Sequence, residues 1–501
     1  MNELSLLQLL NWVAIIWVIW ALIEMQTSTI GASKDEINEV QTSTQSMACV
    51  PNRKQDKRRR ERSRPRTKTP ADCPHCCSAA QAAKEIDRIV EVIPYAERKS
   101  RRGRPKLSLT EGYCCHNPTC EYYGIRNSLI HALVADGDQL TGQGLVKQIK
   151  CQWCGSKFLV TRDTALYGSK LSVDHVGEIN RGLAEGLSIS ACARVFGHSR
   201  STIHRIVRVS GDHFQSLNEL LLQGLQAIHV QMDELRAKLK GQAEAIWTWV
   251  AMEATNKLML AVHIGQRTQA GAHTLVHKTV GTLTNSCIPT YATDGLNLYY
   301  SALSAHHGIW TDDETLLPAA GETRHRRRRR RPGQHKTTWC VNQNLHYGQV
   351  IKRYAHRKIK QITRKMVLGS QARFRAILQA AGLTGRINTS FVERLNLGLR
   401  SGVSALVRRS ASTVCSDLAL TRRVEIYRAV YHFVRPHTGL RLVTMPQPCS
   451  RGRRYRRFEP RTPAMAAGLT DRPWSMAQLL LHPAPPKIPP QRQTLRLSPV
   501  R

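Results

Sequence analysis

IHVQMDELRAKLKGQAEAIWTWVAMEATNKLMLAVHIG, residues 228–265, is the stretch from which the architecture can be read. IHVQMDEL (228–235) alternates apolar and polar residues with the two-residue period of a half-buried strand. AIWTWVAMEA (245–254) and LMLAVHIG (258–265) follow as the strands of a hairpin. A later run, IPTYATDG (288–295), is broken by Gly295, after which NLYYSALSAH (297–306) starts a helix. Strands alternating with helices predict an α/β domain, placed over residues 225–440 with a basic insertion near 312–345. That insertion carries the arginine run 326–331, expected to form an exposed loop, and helical patterns are expected to resume near Tyr347.

Three acids stand out within this domain. Asp233 lies in the first strand and Asp294 ends the later one. Glu393 lies in INTSFVERLNLGLR (387–400), a helical pattern that puts Glu393, Asn396 and Arg400 near one face at i, i+3 and i+7. Carboxylates brought together from two strands and a helix supply the hard oxygen ligands that Mg²⁺ or Mn²⁺ selects. Two such ions about 3.5–4 Å apart can activate water or a 3′-hydroxyl and stabilise the departing 3′-oxygen of a phosphodiester. Glu234 and Glu253 are nearby competitors, and Asp312 and Asp313 could replace Asp294. They rank lower because they lack a strand-end setting or fall near the insertion.

Composition agrees with phosphate chemistry. The 501 residues leave room for several domains of about 150 residues each. Lys plus Arg total 74 against 36 Asp plus Glu, a net charge of +38. A field of that size recruits polyanions, which argues against an ordinary acidic or neutral metabolic enzyme and makes nucleic acid the leading partner. With 41% hydrophobic residues the chain is neither wholly disordered nor a multi-span membrane protein. Fourteen cysteines are too sparse for a disulfide scaffold, and their short spacings point to metal ligation in a reducing, cytoplasmic setting.

Cys115 and Cys120 (C-x4-C) with Cys151 and Cys154 (C-x2-C) are two knuckles able to supply four thiolates to a structural Zn²⁺. The cysteine-rich region, residues 73–165, reads as a zinc ribbon. Cys73 and Cys76 offer a further pair, and His75, Cys77, Cys114 and His116 are alternative ligands. Over residues 171–215, LSISACARVFGHSRSTIHRIVRV (187–209) places Ala193, Gly197, Ile203 and Ile206 at helix-turn-helix spacing, with Ser199 as cap of the second helix. That helix would present Arg200, Ser201, Thr202, His204, Arg205 and Arg208 to a major groove or its phosphates. At the start of the chain, LSLLQLLNWVAIIWVIWALI (4–23) has the roughly 20 apolar residues that span a bilayer. Residues 1–24 are therefore either a membrane segment or an over-extended gene start with Met47 as initiator. Residues 25–72 read as a basic disordered linker and 441–501 as a basic, Pro-rich tail without a packed pattern.

The cysteine knuckles, GLSISACARVFGHSRSTIHRIV (186–207), VQMDELRA (230–237), YATDGLNLYY (291–300), NTSFVERLNLGLR (388–400), YHFVRPHTGL (431–440) and RTPAMAAGLTDRPW (461–474) resemble DDE-type insertion-sequence transposases, nearest to the insertion sequence one group. The resemblance covers about residues 110–475. It implies a ribonuclease H-like catalytic core preceded by a zinc ribbon and a helix-turn-helix domain, with Asp233, Asp294 and Glu393 as the metal-binding triad. It also implies binding to the terminal inverted repeats of an element in double-stranded DNA, as a homo-oligomer, with Asn388, Arg394 and Asn396 holding the glutamate or the DNA. The apolar N-terminus, the basic linker and the Cys73–Cys77 group depart from that pattern. Three other functions fit the residues: a non-catalytic DNA-binding transcriptional regulator, a membrane-tethered DNA-binding protein, and an RNA-cleaving enzyme on the same core.

Overall fold

The computed structural model describes residues 94–98, 110–141, 144–240, 244–311, 338–356, 358–408, 412–443 and 458–484. Residues 4–23, the linker 25–72, Cys73, His75, Cys76, Cys77, Asp312, Asp313 and the arginine run 326–331 lie outside them. Among the described residues, no helix is long and apolar enough to cross a membrane. The chain divides into two compact units. One, Met1–Asp56 with Ile309–Cys340, is described only at its short paired strands. The other, Lys57–Gly308 with Val341–Arg501, holds every other element.

The cysteine-rich segment forms an antiparallel sheet of β1 (Leu133–Thr141), β2 (Gly144–Cys151) and β3 (Lys157–Leu159). Three helices follow: α1 (Val173–Ala184), α2 (Ile189–Val195) and α3 (Arg200–Leu221). Next come β4 (His229–Lys238), β5 (Ala245–Glu253), β6 (Met259–Gly265), α4 (Gln269–Val280), β7 (Thr290–Asp294) and α5 (Leu298–His306). The short β8 (Gly308–Thr311) and β9 (Thr338–Val341) pair with each other, before β10 (Tyr347–Ala355) and β11 (Lys358–Leu368).

Six of these strands make one mixed sheet in the order β11-β10-β7-β4-β5-β6. β4, β5 and β6 form an antiparallel meander, whereas β7 is parallel to both β4 and β10. One face packs Val230, Met232, Trp249 and Tyr291 against α4 and α5. The other packs Leu235, Val250 and Met252 against α7 (Ser390–Gly402) and α8 (Asp417–Ala429), which follow α6 (Gln371–Ala380). This two-sided burial explains why β5 reads as a nearly continuous apolar run.

The strands over Tyr347–Ala355 and Lys358–Leu368 replace the helix expected near Tyr347. Lys358 through Lys365 are all exposed, so the hairpin shows no buried-face alternation and its lysines and arginines imitate a solvated helix. The expected unpacked tail also needs correction. Pro463–Ala466 and α9 (Met476–Leu481) form helices capped by Thr462 and Ser475, too short to give a periodic signal. Ala464, Met476, Leu479 and Leu480 are buried in the same core as Ile179, Ile203, Phe214 and Phe433.

A buried polar network joins this helical core to the sheet. Arg428 donates to the carbonyls of Met259 (2.9 Å) and Leu260 (2.7 Å) on the edge strand β6, while His432 Nε2 accepts from Met259 N at 3.0 Å. Glu425 pairs with Arg428 and accepts from Asn218 of α3 at 2.8 Å. The start of this edge strand is thus satisfied by helix side chains. α3 and α8 approach so closely that a Cβ at Gly211 would stand 2.5 Å from Arg422 Cβ and 2.8 Å from its Cα. Alanine is favoured over glycine inside a helix by about 1 kcal/mol, but overpacking of about 1–3 kcal/mol outweighs it. Gly211→Ala is therefore expected to lower the melting temperature; an unchanged or raised midpoint would mean that the two helices are not in such close contact.

Candidate functional site

Three groups of side chains carry chemistry, each set by local structure. In the first, Ser172, Ser188 and Ser199 cap α1, α2 and α3 by accepting from His175, Ala191 and Thr202 N–H groups. Gly197 turns the chain between α2 and α3 at φ +68, a conformation that disfavours side chains. Ile203 and Ile206 are buried, leaving Arg200, Ser201, His204, Arg205 and Arg208 exposed along α3 and Thr202 half-buried beside the cap. Arg205 is committed to the Gly168 carbonyl at 2.6 Å, so it braces the helix as it stands. His198, unusual for its position, meets His175 ring to ring, Nε2 to Nε2 at 2.6 Å.

The second group is the thiol cluster. Cys115 Sγ lies 3.6 Å from Cys154 Sγ and Cys120 Sγ 3.8 Å from Cys151 Sγ, and one ligand atom from each of the four lies within 4.8 Å of every other. Tetrahedral zinc with sulfurs about 2.3 Å away requires sulfur separations of about 3.8 Å, whereas a disulfide closes to about 2.05 Å. The residues fit the ion. Hydrogen bonding from Cys115, then from the Cys154 and Trp153 backbone, brings the Cys151 thiol down to about 5, while burial pushes Cys120 up to about 12. Cys114 and His116, the alternative ligands, lie apart from the four and group with Asp163, to which His116 bonds at 2.7 Å.

The third group lies where β7 ends. Met232↔Thr293 is the last pair between β4 and β7, and Asp294↔Val350 the last between β7 and β10, yet β4 and β10 both run on. A crevice results, floored by Asp294, with Asp233 and Glu234 from β4 on one side and Lys352 from β10 on the other. Asp233, Glu234 and Asp294 each place a carboxylate oxygen within 4.8 Å of the others and together can hold a cation. Asp233 Oδ2 accepts from Asn396 Nδ2 at 2.8 Å, and Asp294 Oδ1 from Leu296 N at 3.0 Å. Burial, followed by repulsion from Glu234 and Asp294, raises the Asp233 carboxyl to about 7. Burial raises Asp294 and Glu234 as well.

Glu393 arrives from α7 and does not join that tight group. Its Oε1 accepts from Thr389 Oγ1 at 2.5 Å and from Lys352 Nζ, and its charge adds to the repulsion on both Asp233 and Asp294. The start of α7 has no side-chain cap of its own; Gln231 Oε1 on β4 accepts from both Phe391 N and Val392 N at 3.0 Å. Gln231 also donates to Asn388 at 3.1 Å, so one glutamine pins the glutamate helix to the aspartate strand.

Glu234 ranked low from sequence because it lacks a strand-end setting. Beyond the end of β7 no neighbour separates the two faces there, and both carboxylates reach Asp294. Arg267 (Nη2 at 2.5 Å) and Tyr299 hold Glu234 from the other side. Glu253 instead organises the β5–β6 turn, accepting from the N–H groups of Thr255 and Asn256. Beyond the pocket, Arg236, Lys238, Lys240, Arg400 and Arg408 line a basic cleft of about 940 Å³.

Residues 168–208 match a family described as a helix-turn-helix domain. This segment is thus similar to a DNA-binding helix-turn-helix module, with α3 in the place of its second helix. No curated protein matches the chain.

The purified protein is expected to carry about one zinc per chain by elemental analysis, and Cys151→Ser to lose it together with several degrees of melting temperature. Retention of full metal by that variant would break the tetrathiolate assignment. The raised Asp233 has a defined sign: between about pH 4 and pH 7 the folded state holds a proton that the unfolded state has released, so stability falls as pH rises. In chelator, melts at pH 5 and pH 8 should differ by on the order of 2 kcal/mol more for the parent than for Asp233→Asn. Equal pH slopes would remove the strain from this carboxylate.

Proposed function

We propose that the chain is a DDE-type transposase of the kind that the insertion sequence one group exemplifies, with a ribonuclease H-like core over β4–α7. The observation that carries this reading is the convergence of Asp233 and Asp294 from adjacent parallel strands, in a chain that also bears a helix-turn-helix domain. The sheet supports it too: an antiparallel meander followed by parallel strands on the other side of its first member is the arrangement expected of such a core.

Asp233, Asp294 and Glu393, with Glu234 beside them, would hold Mg²⁺ or Mn²⁺, which when bound supplies activation of water or a 3′-hydroxyl towards a phosphodiester. Asn396 fixes the Asp233 carboxylate, Gln231 fixes the helix that carries Glu393, and Lys352 holds Glu393 while adding positive charge beside the pocket. Arg200, His204 and Arg208 contact the inverted-repeat DNA, and the tetrathiolate cluster serves as the structural zinc of a ribbon. The basic cleft offers phosphate contacts, which make binding steeply salt-dependent. Two element ends need two active pockets, so the working species is a homo-oligomer on DNA.

Asp294→Asn is expected to reduce end cleavage and strand transfer by on the order of 10³-fold with Mg²⁺ or Mn²⁺, the loss of several kcal/mol of charge stabilisation, while leaving end binding intact. The substrate is a duplex bearing the inverted repeats that flank the gene. Undiminished cleavage by the variant would remove Asp294 from the mechanism. Tight, specific binding with no cleavage by the parent would favour the regulator instead.

A further inference from the structure

The β10–β11 hairpin is built unlike the rest of the sheet. β10 pairs with β7 only from Tyr347 to Val350; from Ile351 to Ala355 its sole strand partner among the described residues is β11. Because β7 and β10 are parallel, this two-stranded ribbon continues past Asp294 from the carboxylate end of the sheet. Five residues at about 3.3 Å each carry it roughly 17 Å beyond the level of Asp294. Tyr347–Leu368 contains seven lysines and arginines and no acid. Lys358 through Lys365 are exposed on both strand faces, with Ile359 and Ile362 at 52% and 42% exposure among them. Val350 lies beside Asp294 and Lys352 bonds Glu393, so the base of the ribbon is part of the pocket wall.

Lysines on an edge strand can simply block edge-to-edge pairing. A single row of charge suffices for that, whereas here cations occupy both strands and both faces. A two-stranded ribbon fits the major groove of duplex DNA, which is about 12 Å wide. We propose that this ribbon is a second DNA-binding element, separate from α3: an arm laid into the major groove of the duplex whose phosphodiester faces Asp233 and Asp294. Its lysines neutralise phosphates on either side, and Ile359 and Ile362 lie against base edges or sugars. The assignment rests on the reading of the pocket as a DNA-processing site, but its charge and geometry can be tested without catalysis.

The full chain and a Lys358→Ala/Lys360→Ala/Lys365→Ala variant would be titrated against a random-sequence duplex in chelator over a series of salt concentrations. Loss of three phosphate contacts should reduce the log–log salt slope by about 2–3 and weaken binding at low salt by at least about tenfold. The substituted side chains are exposed, and an unchanged melting temperature verifies the fold. Arg200→Ala, by contrast, should weaken binding to inverted-repeat DNA more than to random duplex. An unchanged slope in the triple variant overturns the arm, and unchanged binding with new self-association assigns the lysines to edge protection. Cleavage by the parent with Mg²⁺ reports separately on the pocket, so a slope that falls in a protein that does not cleave would retain the arm and reject the transposase.

Discussion

Everything about the way the acids of this molecule meet depends on β7 being too short. It sits between two parallel neighbours that outrun it, and its last residue is Asp294. The gap lets side chains from both flanking strands converge over a floor they could not share in a continuous sheet. Filling that gap with carboxylates is unfavourable in itself, because desolvation and like charge act in the same direction on Asp233. The surrounding polar groups limit the damage: Asn396, the Leu296 N–H, Arg267 and Lys352 each meet one of the acids. A concentration of negative charge held in place by neutral and cationic donors can hold a cation.

The same economy appears at the opposite edge of the sheet. β6 presents unpaired backbone groups that would invite another strand, and Arg428 and His432 take them up from α8 and the π-helical turn Val430–Val434 that follows. Since Glu425 of α8 also accepts from Asn218 of α3, a single buried network links the helix-turn-helix domain to the strand system. Arg428 alone contacts two strand carbonyls and a helix carboxylate, so its truncation would leave several buried partners unsatisfied.

Where the buried face was continuous, the sequence was readable. The strands β4 through β7, the helix after Gly295, the glutamate helix and the capped turn at Ser199 all lie where apolar periodicity and turn residues place them. The pairing of Cys115 and Cys120 with Cys151 and Cys154 in one cluster was likewise visible in their spacing. Three features were not. The β10–β11 ribbon has no buried face over most of its length, so the two-residue period has nothing to mark. The segment 458–484 packs through short capped helices whose few apolar residues cannot establish a period. Glu234 joins the acids only because a neighbouring strand ends, a fact about length that no local pattern encodes.

That late segment has a consequence for how the molecule matures. Leu479 and Leu480 complete the core beneath α1 and α3, while the Leu480 carbonyl accepts from Ala165 N and Ala484 N donates to the Asp163 carbonyl. On a ribosome, α1 to α3 emerge before the strands with their acids, yet they keep a wet apolar flank until the final helix is released. A nascent chain stopped before residue 462 would contain Asp233, Glu234, Asp294 and Glu393 and yet lack the piece that closes its helix-turn-helix core.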